Sequence, residues 1–172
     1  MGTRTVLPKI RIRPIGPTDR VQLEHFYAGL SDASLNARFH GATRGIGERA
    51  ARSFCHPDHA HREGLVAVVG RGAGDEIIGH ICLEPCAVDE VEMAIAVADA
   101  FQRRGIGRGL LAAALGWATH HGIDRMRAET RWSNPAIMGL LRSMDRPVTL
   151  SPTDVGCLEA VVAVPERFPV AA

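Results

Sequence analysis

VEMAIAVADAFQRRGIGRGLL, residues 91–111 of the 172-residue chain, changes its period halfway along. Val91, Met93, Ile95 and Val97 alternate with Glu92, Ala94 and Ala96, and period two is the mark of a strand. Gln102-Arg103-Arg104-Gly105-Ile106-Gly107 is a polar, glycine-rich turn. Beyond it Leu110, Leu111, Ala114, Leu115 and Ala118 recur at helical spacing. The reading is strand, glycine turn, helix. The first amides of a helix have no partner within it and lie at the positive end of its dipole. Glycine lets a phosphate oxygen come close to such a backbone with no Cβ in the way. Arg103, Arg104 and Arg108 add full positive charges. A phosphate-bearing ligand is therefore expected here, in preference to a solvated basic turn. Neither G-x-x-x-x-G-K-[ST] nor the dinucleotide G-x-G-x-x-G is present.

The pattern Q/R-x-x-G-x-G/A over residues 102–107, between this strand and a helix starting R-G-L-L, resembles the acetyl-coenzyme-A loop of the GNAT N-acetyltransferase superfamily. Residues 30–39, LSDASLNARF, are similar to the L-S-x-x-S-x-x-x-R-F segment of bacterial Pat-type protein lysine acetyltransferases. The resemblance implies an α/β (α+β) GNAT fold: a mixed, mostly antiparallel central sheet flanked by helices, with a splayed parallel pair at the cofactor site. It implies acetyl-CoA as co-substrate. The backbone of Gln102, Arg103, Arg104, Gly105, Ile106, Gly107 and Arg108 would hold its pyrophosphate. The backbone of Ile95, Ala96 and Val97 would hold the pantetheine arm and thioester, and Asn134 would touch the cofactor arm. Pat-type members carry a proposed general-base glutamate in A-E-x-A-x-x-V, and V-E-M-A-I-A-V puts Glu92 there.

The chemistry argues the same way from the residues. An amine acceptor must lose a proton, since a lysine titrates near 10.4. A carboxylate on the central strand suits that task, directly or through a water. Glu92 is such a group; otherwise it is a solvated strand residue or half of a salt bridge. A backbone N–H of Val97 or its neighbour suits the oxyanion. No cysteine is placed as a nucleophile, so transfer is expected to be direct. The acceptor is an amine, with a protein lysine as one candidate. A small-molecule amine is an alternative, as is a non-catalytic acyl-CoA-binding sensor of the same fold. A homodimer is a further expectation, since members of the superfamily often pair.

Three features depart from the family pattern. Seven residues after Asn134, where the family often has a tyrosine that protonates the thiolate, stands Leu141, and the chain's only tyrosine is Tyr27. A usual Gly-Phe ending is replaced by Asp145-Arg146. The cyclic-nucleotide domain of Pat-type members is not expected within these 172 residues.

Length and 46% hydrophobic content predict one globular domain over residues 10–172, behind a loose leader at 1–9. A net charge of +1 gives no bulk electrostatic case for nucleic acid or an anionic membrane. No apolar run approaches a transmembrane span and no signal peptide stands at the start, so a cytoplasmic location is expected. Cys55, Cys82, Cys86 and Cys157 form no C-x-x-C pair. Cys55-His56-Pro57-Asp58-His59-Ala60-His61 holds zinc-ligand types, but Pro57 and the irregular spacing favour a polar loop, and no metal is expected.

Elsewhere the pattern is local. Residues 10–15 alternate as a strand, and Pro17-Thr18-Asp19 starts a helix with Thr18 or Asp19 as cap. Ser31 caps a helix over 32–39, with Arg38 placed to hold a carboxylate. Strands at 65–69 and 76–85 make a hairpin around a turn at 71–75. Glu84, Asp89 and Glu90 add either negative potential for a cationic acceptor or plain hairpin surface. A strand at 123–130 completes a parallel crossover. A helix then starts at Pro135, capped by Asn134 or Ser133, before strands at 148–150 and 158–164.

Overall fold

The computed structural model describes residues 9–41, 43–70, 75–153 and 156–165. Most of the leader and the hairpin turn at 71–74 lie outside them. Among the described residues seven strands form one sheet: β1 (Ile10–Pro14), β2 (Glu63–Val69), β3 (Glu76–Ala87), β4 (Glu90–Val97), β5 (Arg125–Arg131), β6 (Val148–Pro152) and β7 (Cys157–Ala163). Their order is β1-β2-β3-β4-β5-β7-β6. Only the β4–β5 pair is parallel among the described residues. Helices α1 (Arg20–Ala28), α2 (Asp32–Phe39), α3 (Glu48–Phe54), α4 (Ile106–His120) and α5 (Pro135–Arg142) flank it. Among the described residues no helix is long and apolar enough to cross a membrane.

The alternation along β4 becomes two cores. Val91 and Met93, with Ile95 and Val97 partly covered, pack with Leu110, Leu111, Ala114 and Met126 against α4. Ala96 faces the other way, onto Leu23, Phe26, Tyr27 and Leu35 of α1 and α2. Helix α4 lies close on the sheet because Gly79 has no side chain: a Cβ there would meet Leu110 Cδ1 at 2.9 Å and Ile106 Cγ2 at 3.3 Å.

Two of the expected caps form. Ser31 Oγ accepts from the Ser34 N–H at 3.3 Å, and Asn134 Oδ1 accepts from the Ile137 N–H at 3.3 Å. The start of α1 differs. Pro17–Asp19 is a 3-10 turn, and Asp19 reaches back to accept from the Gly16 N–H at 2.8 Å. The same carboxylate pairs with Arg13 at 2.7 Å. Burial works against the Asp19 charge, but the Arg13 guanidinium and the Gly16 amide outweigh it and hold the carboxyl below its usual range.

One feature of the sheet places the site. Strands β4 and β5 pair only at Glu90–Arg125, Val91–Met126 and Glu92–Arg127. Past that point β4 stays paired with β3 as far as Val97, and β5 stays paired with β7 as far as Arg131. Each strand continues, but not beside the other, and a V opens between them.

Candidate active site

The V widens into a cleft of about 1080 Å³. Its walls are residues 93–97 of β4 and 128–131 of β5, and α2, α5 and the glycine loop line the rest. In the loop, Arg103 and Gly105 take the left-handed conformation, at φ 60° and 83°. Helix α4 then begins at Ile106, and the Gly109 N–H closes its first turn on Gly105 O at 2.9 Å. The amides of Ile106, Gly107 and Arg108 precede that bond and have no partner within the helix. Arg103 and Arg108 are exposed and line the cleft. Arg104 does not; its guanidinium lies 5.6 Å from the centre of the Phe101 ring. The Ile106 side chain goes into the core, so only its backbone is available to a ligand.

Along β4 the backbone alternates as the side chains do. The Ala98 N–H donates to Ile78 O of the neighbouring β3 at 2.9 Å. Residues two and four back, Ala96 and Ala94, therefore also turn their backbone groups to β3. Met93, Ile95 and Val97 turn theirs toward the cleft. Of the three positions expected to hold a ligand arm, Ala96 is thus the one whose amide is directed elsewhere, because a strand alternates its hydrogen-bonding edge. The Val97 carbonyl is also taken: Gln102 Nε2 donates to it at 3.0 Å and to Ser34 Oγ at 3.1 Å.

Asp99 extends this tie. Its carboxylate accepts from the Ser31 N–H at 2.9 Å, Ser31 Oγ at 2.7 Å and Ser34 Oγ at 2.8 Å. Burial opposes its charge, but these bonds outweigh that and hold the carboxyl below its usual range. The network fastens the start of α2 to the glycine loop. The sequence reading did not name Asp99; its partners lie 65 and 68 residues away, and the only local signal is the S-x-x-S spacing at the start of α2.

Glu92 is exposed on β4, opposite Glu84 of β3 and Arg127 of β5, and lines the cleft. Among the described residues it makes no hydrogen bond or ion pair. Its acidic neighbours are occupied. Glu84 pairs with Arg62 at 2.6 Å. Glu90 is buried and held by Arg125 and Arg127, the latter at 2.9 Å. Glu84 and Glu90, read from the sequence as either negative potential for a cationic acceptor or plain hairpin surface, are thus both paired with arginines. Arg38 also differs from expectation. It holds no carboxylate; its guanidinium reaches Cys82 Sγ at 3.2 Å and lies 4.7 and 5.7 Å from the Phe39 and Phe54 ring centres. The two aromatic faces steady a cation drawn out of water.

Asn134 lines the cleft while its Oδ1 caps α5. Leu141 is 2% exposed and belongs to the core. Tyr27 is in the core too, 2.9 Å from His80 Nδ1, and burial pushes its hydroxyl up to about 12. It does not line the cleft and cannot stand in for a tyrosine there. Thr130 is in the cleft wall, 1% exposed, and its Oγ1 has no hydrogen-bond partner among the described residues. The Cys55–His61 segment is a polar turn: Asp58 Oδ1 accepts from the amides of Ala60, His61 and Arg62, and His59 Nδ1 lies 2.7 Å from Glu63 Oε1.

The arrangement is thus a mixed sheet split between two parallel strands, with a glycine-started helix at the mouth of the split. The sequence profile of the Acetyltransferase (GNAT) family matches residues 34–145, and the chain belongs to that family. Among solved structures it is similar to the GNAT domain of S. lividans PAT, at TM-score 0.80 and 27% identity over 90% of each chain. A phosphinothricin acetyltransferase from Sinorhizobium meliloti, in complex with AcCoA, shares the fold at TM-score 0.71 and 19% identity, over 90% of this chain and 88% of that one. So does a cAMP-binding acyltransferase from Mycobacterium smegmatis, at TM-score 0.58 and 22% identity, where 91% of this chain covers 44% of the other. A comparison with curated proteins gives no match.

Proposed function

We propose that this protein is an acetyl-CoA-dependent N-acetyltransferase that passes the acetyl group directly to a primary amine, with Glu92 as general base. The observation that carries the reading is the end of β4–β5 pairing at Glu92–Arg127, which opens a cleft between the strands beside a helix N-terminus. The residues present fit the co-substrate. The free amides of Ile106, Gly107 and Arg108, with the Arg103 and Arg108 charges, suit a pyrophosphate. The inward backbone groups of Met93 and Ile95 and the N–H of Val97 suit an amide-bearing arm, and the partnerless Thr130 hydroxyl on the facing strand is a further polar group in that wall.

Acetyl-CoA supplies the activated acyl carbonyl. Glu92 takes the proton that the acceptor ammonium must shed, directly or through one water. The Val97 N–H would serve as hydrogen-bond donor to the acyl oxygen, and as the amine forms its N–C bond the thioester C–S bond would break and CoA would leave as the thiolate. Gln102 fixes the adjoining peptide through the Val97 carbonyl and so holds that donor in place. Helix α2, tied to the loop by Asp99, forms the acceptor wall. A protein lysine is the acceptor class we propose, and the likeness to the GNAT domain of S. lividans PAT supports it. Leu141 in the core favours one second reading, a non-catalytic acyl-CoA sensor, because no tyrosine stands ready for the leaving thiolate.

Calorimetry with acetyl-CoA and with CoA tests the binding half, and thiol release with lysine-bearing peptides tests the chemistry. Arg103→Glu with Arg108→Glu is expected to weaken both ligands at least tenfold. Glu92→Gln is expected to keep wild-type affinity for acetyl-CoA and to lose about 100-fold or more in kcat. Binding with no turnover on any amine would select the sensor; no binding at all would remove the co-substrate.

A further inference from the structure

We infer that the rim of the cleft carries a binding site for a zinc-class divalent metal ion, formed by His40, Glu129 and Cys157. The nitrogen, carboxylate oxygen and sulfur of these three side chains all lie within 4.8 Å of one another. They come from three elements far apart in sequence: the residue that ends α2, the middle of β5 and the start of β7. The sheet explains two of them. Glu129 faces Glu159, and Arg131 faces Cys157, across the antiparallel β5–β7 ladder. Residues 129 and 131 share a face, so Cys157 is the diagonal neighbour of Glu129 on that face, within side-chain reach. The third comes from the cap of α2. His40 takes the left-handed conformation at φ 56°, and Arg131 donates to its carbonyl at 3.2 Å, which pins the helix end over β5.

The spacing suits one shared ion better than direct bonds. His40 Nδ1 and Glu129 Oε1 are 3.8 Å apart, too long for a hydrogen bond. Zinc bonds of about 2.0–2.3 Å set ligand-to-ligand separations of roughly 3.3–3.7 Å in a tetrahedron. Closing the set requires a movement of about 1 Å, and the side chains are exposed or half-buried and free to make it. Among the described residues no hydrogen bond occupies the His40 ring, the Glu129 carboxylate or the Cys157 thiol. The histidine-rich turn differs, since His56 bonds to the Arg52 carbonyl of α3, His59 to Glu63 of β2 and His61 to Asp58.

A mixed N, O, S donor set selects zinc over magnesium or calcium. On binding, the Cys157 thiol gives its proton to solvent and the sulfur becomes the ligand. Two anionic ligands then balance the ion against the nearby Arg131 charge. Three protein ligands leave a fourth position open, and His40 and Glu129 both line the cleft. A bound ion therefore clamps the end of α2 to β5 at the acceptor side.

Cobalt(II) is the probe, because a thiolate ligand gives it a near-ultraviolet charge-transfer band and zinc displaces it. Added to the reduced protein without acetyl-CoA, it is expected to give that band at one equivalent. Cys157→Ser abolishes the band and His40→Ala weakens binding at least tenfold, while His59→Ala with His61→Ala leaves it unchanged. Thermal melts of the variants confirm that they fold. No band in the wild type, or a band that survives Cys157→Ser in a folded variant, overturns the site. The readout needs no acetyl transfer, so its result is independent of the proposed reaction.

Discussion

His80 is the most strongly perturbed histidine. It is wholly buried on β3, bonded to the Tyr27 hydroxyl, and its Nε2 has no partner among the described residues. Burial, helped by the Arg38 charge, pushes its pKa down to about 3. The unfolded chain takes up that proton near pH 6.5, while the folded protein refuses it until about 3. The stabilisation is therefore complete above 6.5 and falls as pH drops toward 3, by roughly 1 kcal/mol per pH unit. Asp19 and Asp99, with lowered carboxyls, add their losses only in the usual carboxylate range near pH 4. Urea unfolding between pH 7 and 5 thus isolates the histidine. The wild type should lose stability across that window, and His80→Gln, whatever its starting stability, should lose clearly less. Glu92 belongs to the same scale. Its neighbours Glu84, Glu90 and Arg127 are all engaged, and as the proposed base it is tested through turnover rather than stability.

At the scale of elements, the glycine loop and α2 act as one assembly. Removing the Asp99 carboxylate leaves Ser31, the cap of α2, and Ser34 without their shared acceptor. Asp99→Ala is expected to cost about 1–2 kcal/mol and to speed amide hydrogen exchange in α2 above that in α4. Equal effects on both helices would show that the network does not hold α2. Gly107 tests the loop from the other side. The nearest neighbours of a Cβ there are Leu140 at 3.7 Å and Val97 at 3.8 Å, ordinary contact distances. Gly107→Ala should therefore fold with unchanged stability, yet place a methyl where the loop meets the cleft wall. Acetyl-CoA affinity should fall about tenfold or more by calorimetry, with the melting temperature kept.

For the whole molecule, what the sequence disclosed was what lies close along it. The β4 alternation, the glycine loop, the α4 stripe and the Ser31 and Asn134 caps are all local, and each is found where its spacing put it. Non-local pairing was not legible. That Glu90 is spent on Arg125 and Arg127, that Arg38 stacks on rings instead of meeting a carboxylate, and that Asp99 bridges to Ser31 follow only from the strand order. The same holds for β7 inserting between β5 and β6, since chain order alone would put β6 beside β5. The candidate base and loop were readable because a strand and a turn carry them; Thr130 was not, because its meaning lies in a partner it lacks.

Among the described residues, the three residue pairs between β4 and β5 are the only ladder joining β1–β4 to β5–β7. The sheet is in effect two panels on a short hinge, with an unzipped edge on each panel that water must satisfy. Two panels so joined should open as separate cooperative units. In the free protein, amides of β5 and β7 are expected to exchange faster than those of β2 and β3. A ligand lying in the gap would bridge the panels like a missing strand, so acetyl-CoA should slow both sets, bring their rates together and raise the melting temperature. Protection confined to the glycine loop would mean that the two panels stay independent even when the ligand is bound.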